Sequence, residues 1–173
     1  MPSRNAVRSR YEPEILNSFR RILQALRLAA VQTHAATGIS AAQLFVLSQL
    51  ESGGAQSINE LAQATMTDRS SVADVVERLV ERRLVRRSAS AEDRRRAEVR
   101  LTAHGRALLR RAPSAPTTLL LDGLAGLTAS EVQLLSAGLA RLCEELGLTE
   151  QAPEMLFEQP RGSASRRRTA GKS

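Results

Sequence analysis

The sequence predicts a mainly α-helical protein that carries one short β-hairpin. Three observations lead to that expectation. Apolar residues recur at spacings of three and four over most of the 173 residues, as one buried helix face requires. Three segments open on a Ser or Thr with Gln or Glu three residues later: Ser40 and Gln43, Ser57 and Glu60, Thr128 and Glu131. Such pairs satisfy free amides in the first turn of a helix. One stretch, "LVRRSASAEDRRRAEVRLT" at 84–102, instead alternates apolar and charged residues with period two on either side of a polar turn. With 42% hydrophobic and only 2% aromatic residues, the core is left to Leu, Val, Ile and Ala.

Taken in order, residues 1–11 are polar and basic and are expected to be disordered. Residues 12–37 read as a long helix with Ile15, Leu16, Phe19, Ile22, Leu23 and Leu26 on one stripe, stopped at Gly38. A helix of that length at a chain end suits packing against a partner subunit. Ser40 opens the next helix, which carries Leu44, Leu47 and Leu50 inward and ends at Gly53 and Gly54. Ser57 opens a short one with Ile58, Leu61 and Ala62 inward. After a tight break, "DRSSVADVVERLVERRLV" buries Val72, Val75, Val76, Leu79 and Val80, and turns Arg69, Ser70, Ala73, Asp74, Glu77 and Arg78 the other way. Two short helices joined in this manner form a helix-turn-helix pattern, and a hairpin directly after it gives the winged-helix arrangement. Residues 40–102 therefore form one region. Residues 103–150 return to helix, with Pro113 and Pro116 expected to kink or end it. The last helix should bury Val132, Leu135, Leu139, Leu142 and Leu146. Residues 151–173 lose the pattern and are expected to form a disordered basic tail.

The formal net charge is +7, and Lys172 is the only lysine. Arginine offers a planar fork suited to phosphates and guanine edges, which points to a polyanion partner. GC-rich coding also favours arginine over lysine, but it does not place six arginines against three acids in one hairpin. Several classes are set aside. His34, His104 and Cys143 have no metal-ligand spacing. Neither a nucleophile–base pair nor a glycine-rich phosphate loop is present, so neither an enzyme nor a cofactor is expected. Cys143 reads as a small buried hydrophobe rather than a redox sensor. No apolar run approaches the roughly 20 residues of a membrane span, and no signal peptide is visible. A cytoplasmic protein without a membrane partner is expected.

The segment from Ser40 to Gly105 resembles the MarR family, the bacterial multiple-antibiotic-resistance-type winged-helix regulators. "ISAAQLFVLSQL" stands for its Gln-bearing second helix. "INELAQAT" and "SSVADVVERLVERRLVRR" stand for its helix-turn-helix. "SAEDRRRAEVRLTAHGRALL" stands for its Asp-x-Arg wing followed by Leu-Thr-x-x-Gly. The resemblance implies a winged helix-turn-helix lobe flanked by N- and C-terminal dimerisation helices. The homodimer would bind double-stranded DNA at an inverted repeat, most often as a repressor. Arg69, Ser70, Ser71, Asp74 and Arg78 would face the major groove. On the wing, Asp93 would hold Arg95 ready for a narrow minor groove, with Arg94 and Arg96 on phosphates. Asp74 departs from the family, which often has a basic or neutral residue there. A small aromatic or phenolic effector would enter a cleft near His34, Phe45 and Arg106. Arg166, Arg167 and Arg168 would add non-specific phosphate contacts. Two other readings compete: a winged-helix protein-interaction scaffold, and a weakly specific nucleoid-coating protein.

Overall fold

The computed structural model describes residues 4–89, 97–148 and 155–157. The first helix, α1, runs from Arg4 to Thr37, about 50 Å at 1.5 Å per residue. The expected disorder over 1–11 is therefore corrected for residues 4–11. Arg4, Ala6, Arg8 and Arg10 favour helix there, no glycine interrupts them, and Pro13 lies inside α1 without ending it. Gly38 ends α1 in the left-handed region, φ 70°, where its amide reaches the carbonyl of His34 at 2.8 Å.

Helix α2 (Ala41–Gly53) starts in the Ser40–Gln43 capping box. Its burial is broader than the expected stripe: Ala41 through Leu47 are all buried. The reason is position, because α2 touches α1, α3, α4, α5, α6 and β2, and a helix with that many neighbours buries more than one stripe. Helix α3 (Ile58–Thr65) starts in the Ser57–Glu60 box, and α4 spans Arg69–Glu81. The guanidinium of Arg82, just past α4, donates to the carbonyl of Gly38 at 2.6 Å. That bond ties the end of α4 to the end of α1.

Strands β1 (Val85–Ala89) and β2 (Ala97–Leu101) pair antiparallel, with Val85 opposite Leu101, Arg86 opposite Arg100 and Arg87 opposite Val99. Gln56 exchanges two backbone hydrogen bonds with Val99, at 3.1 and 2.7 Å, and so adds a one-residue third strand. Thr102 begins α5 (Ala103–Leu109) by accepting from the Gly105 amide. Its own hydroxyl donates to the carbonyl of Arg83 at 2.8 Å, with that of Leu84 at 3.0 Å. Gly105 lies so close that a Cβ there would stand 2.2 Å from the Leu84 carbonyl oxygen. The Leu-Thr-x-x-Gly motif is thus the joint that presses α5 onto the start of β1.

Helix α5 ends at Leu109, before either proline, and Pro116 opens α6 (Pro116–Ala125) rather than ending a helix. Its missing amide costs nothing in a first turn. Helix α7 (Ala129–Glu145) has the Thr128–Glu131 box. Its expected burial is corrected: Val132, Leu135, Leu139, Leu142 and Leu146 are all exposed, as is Cys143. Among the described residues nothing in the same chain covers that face. Along α1, Ile15, Leu16, Ile22 and Leu23 are likewise exposed, while Leu26 is buried. The core lies between α2, α3, α4 and the hairpin, with Leu44, Leu47, Leu61, Val72, Val76, Leu79, Leu84 and Val99 among its members. Met155 joins it from the segment expected to be a featureless tail, since one apolar side chain docks without any periodic pattern.

Candidate nucleic-acid interface

The turn between α3 and α4 depends on three residues. Met66 takes the left-handed conformation, φ 55°, and its amide and that of Thr67 return to the carbonyls of Gln63 and Ala62, both at 3.1 Å. Thr65 and Thr67 share a hydroxyl hydrogen bond of 2.7 Å. Asp68 then caps α4 by accepting from the Ser71 amide at 2.9 Å and from the Ser70 hydroxyl. The Ser70 hydroxyl, followed by the hydroxyl and amide of Ser71, lowers the Asp68 carboxyl from 3.8 to about 2. Asp68 went unnoticed in the sequence, although an Asp directly before a helical pattern is a standard cap signal.

On α4, Val72, Val75, Val76 and Leu79 are buried, which turns the opposite face to solvent. Arg69, Ser70 and Asp74 are exposed there, and Ser71 and Arg78 are half-buried. Ser70 and Ser71, expected to meet DNA, are both engaged by the cap. With a carboxylate already at the N-terminus of α4, that end of the helix is no phosphate cradle. The positive charge comes instead from side chains. A groove of about 250 Å³ separates α4 from the hairpin, lined by Arg69 and Ala73 on one wall and by Arg87, Glu98 and Val99 on the other, with Ile58 between. Arg87 was not singled out in the sequence. Its signal was the strand period, which puts it two residues from buried Val85 on the side facing α4. Asp93, Arg94, Arg95 and Arg96 lie outside the described residues.

The expected effector residues do not gather. Phe45 is 2% exposed within the core, which corrects its assignment to an open cleft: its part of α2, Ala41 through Leu47, is buried throughout. His34 is exposed on α1. Arg106 lines a different cavity, at the base of the hairpin, whose lining includes neither of the others. Among the described residues no group of three or more His, Cys, Asp or Glu could hold a metal ion, and no helix is long and apolar enough to cross a membrane.

A capped helix presented beside a hairpin, joined to it by a close-packed Thr-x-x-Gly corner, defines a winged helix-turn-helix protein. A family model described as the MarR family matches residues 37–96. Among solved structures the chain is similar to BpsR of Bordetella bronchiseptica, whose DNA binding is regulated by 6-hydroxynicotinic acid. The two are 29% identical over 78% of this chain and 93% of that one, with TM-score 0.52. It is also similar to the PcaV transcriptional regulator of Streptomyces coelicolor in complex with its natural ligand (26% identity, 73% and 89% covered, TM-score 0.51). A mutant MarR from E. coli complexed with operator DNA gives 25% identity, 75% and 95% covered, and TM-score 0.50. The chain matches no curated protein. Residues 37–96 are thus those of a MarR-family winged helix, and the chain has the fold of that family's transcriptional regulators.

Proposed function

We propose that the protein is a cytoplasmic, homodimeric, ligand-responsive repressor, without enzymatic activity, that binds an inverted-repeat operator. Helix α4 enters the major groove with Arg69 foremost, and the hairpin tip brings Arg95 to the minor groove, oriented by Asp93. The observation that carries this reading is the pairing of Arg69 with Arg87 across the groove between α4 and the hairpin. Two arginines from separate elements line one solvent-facing cleft, where core packing has no use for them. Ser70 and Ser71 serve mainly to fix the start of α4, and Asp74 and Arg78 lie further along the same face. Binding of operator DNA by the E. coli MarR mutant supports the same use of this surface here.

The exposed leucines of α1, α6 and α7 support the dimer, because faces so apolar are covered by a second copy. The regulation of BpsR by 6-hydroxynicotinic acid and the complex of PcaV with its natural ligand support a small effector, of aromatic or phenolic kind. Arg69→Ala and Arg95→Ala, assayed by gel shift on DNA from upstream of the gene, should each lose at least tenfold in affinity while the dimer persists in gel filtration. Wild-type affinity in both variants would overturn the assignment of the interface.

A further inference from the structure

The outer face of the hairpin carries two arginines to which the proposed DNA interface assigns no role. Strand residues alternate faces, so Arg86 and Arg100 point away from the side that bears Arg87 and Val99 beside α4. Arg86 and Arg100 are direct cross-strand partners, and like charges placed opposite each other destabilise a hairpin. Arg106 of α5 joins them around a cavity of about 330 Å³, walled by Leu50 and Leu101, with Glu51 the one acid in its lining. That volume falls at the small end of ligand pockets, roughly 300–1,000 Å³.

Each guanidinium offers five N–H donors. Among the described residues Arg100 donates to one carboxylate oxygen of Glu98 at 2.9 Å, and Arg106 to the Leu101 carbonyl at 3.4 Å. Most donors therefore face the cavity or solvent. We propose that this cavity binds a small organic oxyanion, a molecule with a carboxylate or phosphate head, gripped by Arg86, Arg100 and Arg106. The forked geometry of arginine suits either head in bidentate fashion. The bound anion offsets the Arg86–Arg100 repulsion and fastens the hairpin to α5.

The test uses the full-length protein without DNA, so its outcome is independent of the operator reading. Inorganic phosphate and malonate are titrated separately in a chloride buffer by calorimetry, and Tm is followed in parallel. Saturable binding of at least one anion per chain is expected, with Tm rising on binding. Preference for phosphate assigns a phosphate ester, and preference for malonate a carboxylate. Arg86→Gln and Arg106→Gln should each weaken binding at least tenfold, Arg86→Lys less so, and Arg111→Gln, exposed just past α5, not at all. Circular dichroism checks that each variant is folded. Saturable binding of neither anion, or wild-type affinity in folded Arg86→Gln and Arg106→Gln proteins, overturns the proposal.

Discussion

Asp68 shows how much one side chain decides here. Its carboxylate fixes where α4 begins, and so which turn of that helix carries Arg69 outward. Asp68→Ala should cost about 1 kcal/mol, as loss of a helix cap does, measured by urea unfolding at pH 7. Because the folded carboxyl is held at about 2 against 3.8, the stabilisation is fully present above pH 4 and is lost as pH falls toward 2. Asp68→Asn keeps a good cap but no titrating group. Its stability should therefore fall less steeply than wild type between pH 4 and pH 2, and equal slopes would remove Asp68 from the acid response. Gly105 is decided by space alone. A Cβ meeting the Leu84 carbonyl oxygen at 2.2 Å has no room, so Gly105→Ala should destabilise by about 1–3 kcal/mol and lower Tm measurably.

At the scale of elements, what was legible in the sequence was what is local. The three capping boxes were readable because both members sit within one turn, and all three are present. The hairpin was readable from its period. What a period cannot tell is which neighbour covers a face. The same leucine spacing lies in the core on α2 and in solvent on α7, and Phe45 went to the core for the first of those reasons. The Gln56 strand, the Arg82–Gly38 bond and the Arg69–Arg87 groove all join residues far apart in sequence, so no local pattern announced them. Salt gives an element-level check on the tail: deleting residues 160–173 should flatten the dependence of DNA affinity on salt while leaving the preference for operator over random DNA in place. An unchanged salt slope would mean that Arg166, Arg167 and Arg168 do not meet phosphates.

For the whole molecule, the apolar faces of the helices at the two ends are where the proposed dimer would close. Leu135 and Leu139 are about 40% exposed on α7, an apolar row that water alone should not face. Leu135→Glu together with Leu139→Glu should yield a monomer by sedimentation velocity, with helical content unchanged. A dimer of wild-type stability would place the interface elsewhere. Dimerisation bears directly on function, because two recognition helices must be held about one DNA turn apart to read an inverted repeat. A monomeric variant should accordingly lose specific binding before it loses non-specific binding.

The measurement closest to the central claim is fluorescence anisotropy of the full-length protein on a duplex from upstream of its gene. A shuffled duplex of the same composition serves as control, and both are run at two salt concentrations. Tight binding to the native duplex is expected, with binding to the shuffled one weaker by about 10³-fold or more and a steep loss of affinity as salt rises. Equal affinity for the two duplexes would contradict the claim in favour of a coating protein. Absence of binding even at low salt would contradict it in favour of a scaffold.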